Sequence, residues 1–216
     1  ANNRRANKRQ GEQPRVQTKA THQFTAHTVS TVNHTHAHQR RAPTYSEGIM
    51  TTLGQYGELY EREKIHQQQT FLGVRFGQDP SDALVMQEIV FDVAPDLIIE
   101  MGTNSGGSSL YYAFLLEAVN PSGKIVTVDL EPVEKWSRRW RERRSALDSP
   151  YWKKRVTQLV GYSTSANVVK QVTALAEPVR ARGGSVLIIL DGCHDYSCVN
   201  QELALYAQLV TVGSYC

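Results

Sequence analysis

Cysteine is scarce in this 216-residue chain: Cys193, Cys198 and Cys216 are the only three. They form no CxxC pair and no zinc-type spacing, which excludes a disulfide scaffold and a thiolate metal site as organising principles. An odd count without a framework predicts ordinary reduced thiols in a reducing compartment. Long apolar runs are missing too. No stretch approaches the roughly 18 uninterrupted apolar residues that a membrane span needs, so no span is expected. No apolar segment near the start has the form of a secretory signal, and the expected location is cytoplasmic. The chain opens on Ala1 rather than Met, so its true N-terminus is expected to lie upstream. Asn33-His34-Thr35 matches a glycosylation acceptor, but nothing else speaks for secretion.

Aliphatic residues are nearly absent from residues 1–44, which are rich in Arg, Gln, Thr, Asn and His. Such a segment buries too little apolar surface to offset the entropy of ordering it. It is expected to be a disordered basic tail ahead of a folded domain over 45–216. Five of the seven histidines lie in it, including the alternating His34, His36 and His38. A solvated low-complexity tail accounts for them better than a metal site does. An Arg-rich, acid-poor leader is also the form of an organelle transit peptide. Acidic side chains are scarce in two places only. Residues 1–44 and 135–155 each carry +7, which leaves −11 on the rest of a chain whose net charge is +3. The basic character is therefore local.

From Gly48 the pattern changes. A helix-compatible stretch covers Met50–Gln69, and a loop with Gly73, Gly77 and Asp79-Pro80 follows. Ser81 or Asp82 is the expected cap of a helix running to about Val93, with Leu84, Val85, Ile89 and Val93 as its apolar side. The rhythm then becomes strand, turn, helix. Strands are expected at Asp96–Met101, Lys124–Leu130, Val156–Val160 and Ser185–Leu190, with a fifth beginning at Gly213–Cys216. Helices are expected at Ser105–Val119, Glu134–Leu147, Ala166–Ala181 and Cys198–Val210. Short β-rich runs without polar alternation belong to a parallel sheet covered on both faces. The fold class is α/β, a Rossmann-like doubly wound parallel sheet with helices on both faces. Right-handed crossovers gather the strand C-terminal ends on one rim, where ligands bind in this architecture.

The rim residues carry the chemistry. The first strand ends Glu100-Met101-Gly102-Thr103-Asn104-Ser105-Gly106-Gly107-Ser108. Gly102 permits a sharp turn, and Gly106-Gly107 open a helix whose free N–H groups suit a carboxylate or a phosphate. A nicotinamide-type GxGxxG needs Gly at position 104, where Asn stands. Asp129 ends the second strand and is placed to accept both hydroxyls of a ribose. The fourth strand leads into Asp191-Gly192-Cys193-His194. Asp191 is a hard oxygen ligand suited to Mg2+. His194 accepts a proton near neutral pH. Trp136 and Trp140, four residues apart amid Arg138, Arg139 and Arg141, are expected to face the core from a helix with a solvated basic outer side. The alternative is contact with phosphates or an acidic substrate.

Taken in order, these residues resemble a known family. The segments Thr70–Val74, Asp79–Asp82, Gln87-Glu88, Pro95–Thr103 and Gly106–Ser108, then Leu190-Asp191-x-x-His194, Val199 and Gly213-Ser214-Tyr215, are similar to the cephalosporin hydroxylase / rhamnosyl O-methyltransferase family. The likeness covers about residues 60–216. It implies an S-adenosylmethionine-dependent O-methyltransferase with Mg2+ beside the acceptor hydroxyl of a sugar or small natural product. It implies that Glu100, Gly102 and the turn through Thr103, Asn104, Gly106, Gly107 and Ser108 hold the methionine part of the cofactor. Asp129 would then hold the ribose and Ser163 would lie near the adenine. Asp191 becomes a metal ligand and His194 the general base. In the family a Glu-Asp pair follows the Gly-Ser-Tyr segment and completes the metal site. This sequence stops before that pair and before the last strands of the usual sheet, so a truncated chain is expected. An unfinished sheet edge is an association hazard, which makes a homo-oligomer one expectation.

Three other readings remain open. A nicotinamide-dependent oxidoreductase shares the architecture, and a degenerate or non-catalytic S-adenosylmethionine-binding protein lacks only the acidic pair. Nucleic-acid binding would use the two basic regions, but no nucleic-acid partner is expected.

Overall fold

The computed structural model describes residues 52–216, and the basic tail with its histidines, Asn33 and Met50 lie outside the described residues. Helix α1 (Thr52–Arg62) leads through a 3-10 turn to a short antiparallel hairpin, β1 (Thr70–Phe71) and β2 (Val74–Arg75). Then follow α2 (Pro80–Val93), β3 (Leu97–Met101), α3 (Gly107–Val119), β4 (Lys124–Asp129), α4 (Val133–Arg139) and α5 (Pro150–Arg155). The chain continues with β5 (Val156–Val160), α6 (Ala166–Ala181), β6 (Val186–Leu190) and α7 (Tyr196–Tyr206). Among the described residues no helix is long and apolar enough to cross a membrane.

The doubly wound α/β architecture is present. Strands β3 to β6 form one sheet in the order β5-β4-β3-β6, and every pairing is parallel. Each side chain of β3 is buried, and alternate residues point to opposite faces. Leu97, Ile99 and Met101 pack with Val126 and Val128 against Val168, Val172 and Ala176 of α6 and Tyr206 of α7. Ile98, Ile125 and Leu187 meet Val90 of α2 and Tyr112, Ala113 and Leu116 of α3. Full burial stabilises each such aliphatic side chain by roughly 1.5–3 kcal/mol relative to exposure. This two-sided cover fixes the strand register, and with it the rim where β3, β4, β5 and β6 all end.

Several boundaries differ from the sequence expectations, each for a local reason. Asp79, not Ser81 or Asp82, caps α2: its Oδ1 accepts the Ser81 N–H at 2.8 Å. Pro80 occupies the first helical turn, where its missing N–H costs nothing, so the cap falls two residues before Ser81. The core-facing stripe of α2 is Val90, which is buried, with Met86 and Ile89 partly buried beside it. Leu84 and Val85 lie outside that stripe and are exposed. The expected helix over Glu134–Leu147 is broken. It stops at Arg139, and Arg141 adopts φ 52°. Here the Arg75 guanidinium stacks 3.6 Å from the Trp140 ring, and the Glu142 carboxylate accepts the Arg75 N–H. Helix α7 starts two residues earlier than expected and ends at Tyr206, passing into a 3-10 turn over Ala207–Leu209. Gly213–Cys216 is not a strand. The Thr211 hydroxyl takes the Val186 N–H, Gly213 turns at φ +85°, and a single ladder-like bond joins Ile188 N–H to the Tyr215 carbonyl.

Candidate functional site

Strand β3 is followed by two close approaches. Gly102 adopts φ +106°, and a Cβ there would lie 2.4 Å from the Asp191 carbonyl oxygen. A Cβ on Gly107 would lie 1.9 Å from the Arg75 carbonyl oxygen. Only glycine lets the loop after β6 and the β2 strand press against this turn. Gly106 is the N-cap of α3 and offers no side chain to its N–H groups. The first turn of a 13-residue helix therefore meets the cavity with its dipole uncapped. Asn104 takes the left-handed φ of 47°, which asparagine tolerates. That turn aims its N–H at Asp129 Oδ2, 2.7 Å away.

Asp129 is held from three sides. Besides Asn104, its Oδ1 accepts the Glu131 N–H at 3.2 Å and the Trp136 indole N–H at 3.1 Å. A carboxylate has about four acceptor positions, so capacity remains for a ligand hydroxyl. Two residues before Gly102 the chain is already sealed. Glu100 is 1% exposed, and its Oε2 accepts the hydroxyls of Ser109 and Thr127. Burial raises its carboxyl to about 7, against the lowering effect of the Ser108, Ser109 and Thr127 hydroxyls. The Thr103 and Thr127 hydroxyls share a further bond at 2.7 Å.

Across the cavity, Gln78 Nε2 donates to Asp191 Oδ2 at 2.5 Å. Asp191 opens onto the cavity, yet the atoms packed around its carboxyl raise its pKa, and the Gln78 bond and the neighbouring His194 pull it back down. His194 is exposed and lines the same space. Cys193 and Cys198 are joined in a disulfide, with Cα atoms 6.1 Å apart. This overturns the expectation of three reduced thiols. The loop after β6 folds straight into the first turn of α7 and carries the two sulfurs together. Among the described cysteines Cys216 alone is free.

These groups surround a cavity of about 660 Å3, within the usual range for small-molecule sites. Of the residues singled out from sequence, Gly102, Thr103, Asn104, Gly107, Ser108, Asp129, Ser163, Asp191 and His194 line it. Glu100 and Gly106 do not: the first lies behind Ser109 and Thr127, and the second is packed against Trp152. Sequence reasoning missed Arg75, Gln78 and Glu202, which also line the space. The hairpin before α2 gave no signal for the first two. Glu202 did leave one, a lone acid on the Val199, Tyr206 and Leu209 stripe of the last helix. The two tryptophans are not a core-facing pair. Trp136 turns to Asp129 and the cavity, while Trp140 is 39% exposed beneath Arg75. Among the described residues no three His, Cys, Asp or Glu side chains converge as a metal site would require.

Comparisons with known proteins bear on the same segment. The Rhamnosyl O-methyltransferase of Mycobacterium bovis is 27% identical over 163 residues, covering 74% of this chain and 60% of that protein. Its Mycobacterium leprae counterpart is 25% identical over 161 residues, covering 74% and 64%. This chain thus spans less than two thirds of the length of these curated relatives. A solved CmcI structure in a Mg-SAM form has a TM-score of 0.49 at 16% identity, covering 69% of this chain and 56% of that one. The family model for Rhamnosyl O-methyltransferase/CmcI matches residues 63–216, which include the glycine turn, Asp129 and the Asp191–His194 loop; the chain belongs to that family.

Proposed function

We propose that the cavity binds S-adenosylmethionine and that the protein transfers a methyl group to a hydroxyl of a sugar or small natural product. One observation carries this reading: Gly102, Gly107 and Asp129 come from separate elements, yet line one hollow beside an uncapped helix start. The donor set suits such a molecule. The N-terminus of α3 at Gly107 and Ser108 faces a carboxylate, and Asp129 accepts from vicinal hydroxyls. Ser163 lies at the neighbouring loop, where a base follows a ribose. Glu100 supports the turn from behind through Ser109 and Thr127 rather than by touching the ligand. The family name supports a sugar hydroxyl as acceptor.

When bound, S-adenosylmethionine supplies a methyl group already activated on a sulfonium. The protein then has two tasks, alignment and proton removal. His194 would accept the proton of the acceptor hydroxyl, leaving its oxygen as the nucleophile for the methyl group that the bound cofactor would supply. Asp191 orients His194 electrostatically and offers the acceptor a second contact. For Mg2+ the described residues supply Asp191 but no convergent group of three ligands, so no step is assigned to a metal.

Calorimetry with S-adenosylhomocysteine tests the binding half. The wild-type chain should bind, and Asp129→Ala should weaken binding by about tenfold or more; an unchanged affinity would reject the ribose role. His194→Ala should slow methyl transfer by about a hundredfold while leaving that affinity nearly intact. Unchanged turnover removes His194 as the base. Binding without turnover in the wild type would favour a non-catalytic protein.

A further inference from the structure

A second hollow lies beside the hairpin. It holds about 450 Å3, and Arg75, Trp140, Arg143, Arg144, Gln67 and Gln69 line it. The segment entering and leaving the hairpin forms one side, and the loop after α4 forms the other. That loop is held at several points. Arg141 turns at φ 52°, and the Glu142 N–H donates to the Ser137 carbonyl at 3.0 Å. The Ser145 hydroxyl accepts the Leu147 N–H at the next turn. The stem of Arg144 lies over Gly73 in the hairpin, where a Cβ would come within 3.1 Å of Arg144 Cδ. An arginine pinned by its stem loses less freedom when its guanidinium takes a ligand.

The charge in this wall is unbalanced. None of the ion pairs among the described residues involves Arg75, Arg143 or Arg144. Arg75 is half-buried, and the Trp140 ring 3.6 Å away fixes the plane of its guanidinium. Burial lowers the pKa of Arg75, and the Glu142 carboxylate offsets part of that effect. Glu142 is the sole acid among the described residues that line the hollow. One of its oxygens accepts the Arg75 N–H at 3.2 Å, and the other is buried. Three guanidiniums against one carboxylate leave a net charge of +2. A phosphate monoester matches it, with a charge of about −1.5 to −2 near neutral pH and three acceptor oxygens. Guanidiniums meet such oxygens in paired, charge-assisted hydrogen bonds. A phosphate group fills only part of the space, and the amides of Gln67 and Gln69 border the remainder. Amides of this kind pair with ligand hydroxyls.

We propose that this hollow is a phosphate-binding site for a phosphomonoester of a polyhydroxylated small molecule, with Arg75, Arg143 and Arg144 holding the anion. The site is additional to the cofactor cavity and does not depend on the methyl-transfer reading, although Arg75 lines both hollows. Arg143 and Arg144 line the second hollow and not the first, so their substitution reports on the second alone.

The test is calorimetric titration of the full chain, at fixed ionic strength, with inorganic phosphate, glucose 6-phosphate and glucose 6-sulfate. Both phosphates should bind saturably, and the sugar phosphate more tightly. The sulfate ester, of similar shape but singly charged, should bind several-fold more weakly than the sugar phosphate. Arg143→Gln and Arg144→Gln should each weaken the sugar phosphate by about fivefold or more. Arg75→Met should do the same, since it keeps much of the stem and removes the charge. Arg138→Gln makes the same change in net charge outside the hollow and should leave affinity as it was; thermal melts confirm that the variants fold. Absence of phosphate binding by the wild type overturns the proposal. So does an equal loss in Arg138→Gln, which would show a diffuse basic surface, or an unchanged affinity in the folded Arg143 and Arg144 variants. Equal affinity for the phosphate and sulfate esters overturns the match to a doubly charged group, and equal affinity for inorganic and sugar phosphate overturns the polyhydroxylated part.

Discussion

Glu100 is a carboxyl with no room for its charge. Its ordinary value lies near 4.5, and burial lifts it to about 7 in the folded chain. Below about pH 4.5 both states hold the proton and burial of the group is tolerated in full. Between about 4.5 and 7 the unfolded chain releases its proton first, so this residue's contribution falls as pH rises, then levels off above about 7. The whole span corresponds to about 3 kcal/mol. Glu100→Gln retains an oxygen for the Ser109 and Thr127 hydroxyls and removes the titration. Urea denaturation at several pH values should therefore show the variant gaining on the wild type between pH 4.5 and 7; parallel curves would reject this account. Gly107→Ala should destabilise by about 1–3 kcal/mol, because the new Cβ meets a backbone oxygen rather than a yielding side chain. A melt matching the wild type would show that the turn is slacker than described. Gly102, Gly107 and Asp129 were legible in the sequence because a strand followed by glycines has few other uses. The sealing of Glu100 was not: it depends on Thr127 from the neighbouring strand, 27 residues away in the chain.

The helices and loops show why local pattern stops short. Helix α4 begins where sequence places it, but its end is decided by Arg75 and Glu142, groups that meet only after the hairpin has docked. The exposed side of α2 follows from which residues oppose Tyr112 and Leu116, and Leu84 and Val85 gave the same apolar signal as their buried neighbours. The cysteine pair is a similar case. A spacing of five has no signature in sequence, yet a turn running straight into a helix brings the two sulfurs together. Protein purified without reductant and unfolded in denaturant should titrate with one thiol, from Cys216. Three would show the bridge to be absent.

The order of the sheet sets how the folded molecule opens. Strand β3 is flanked by β4 and β6, and β4 by β3 and β5, whereas β5 has a neighbour on one side only among the described residues. Hydrogen exchange should be slowest in peptides covering Leu97–Met101 and Lys124–Asp129, and faster in Val156–Val160. Equal rates would contradict this order. The sheet was readable from sequence because its strands are short, β-rich and separated by helices. The terminal segment was misread because the Thr211 side chain, rather than a backbone carbonyl, takes the Val186 N–H. The parallel pairing has one more consequence. All four carboxyl ends open at a single pole, so the turns at Ser122 and Gly183 mark an opposite pole remote from the chemistry. A fluorophore or surface tether attached at Ser122 would leave the ligand's approach clear and report on the molecule from its silent side.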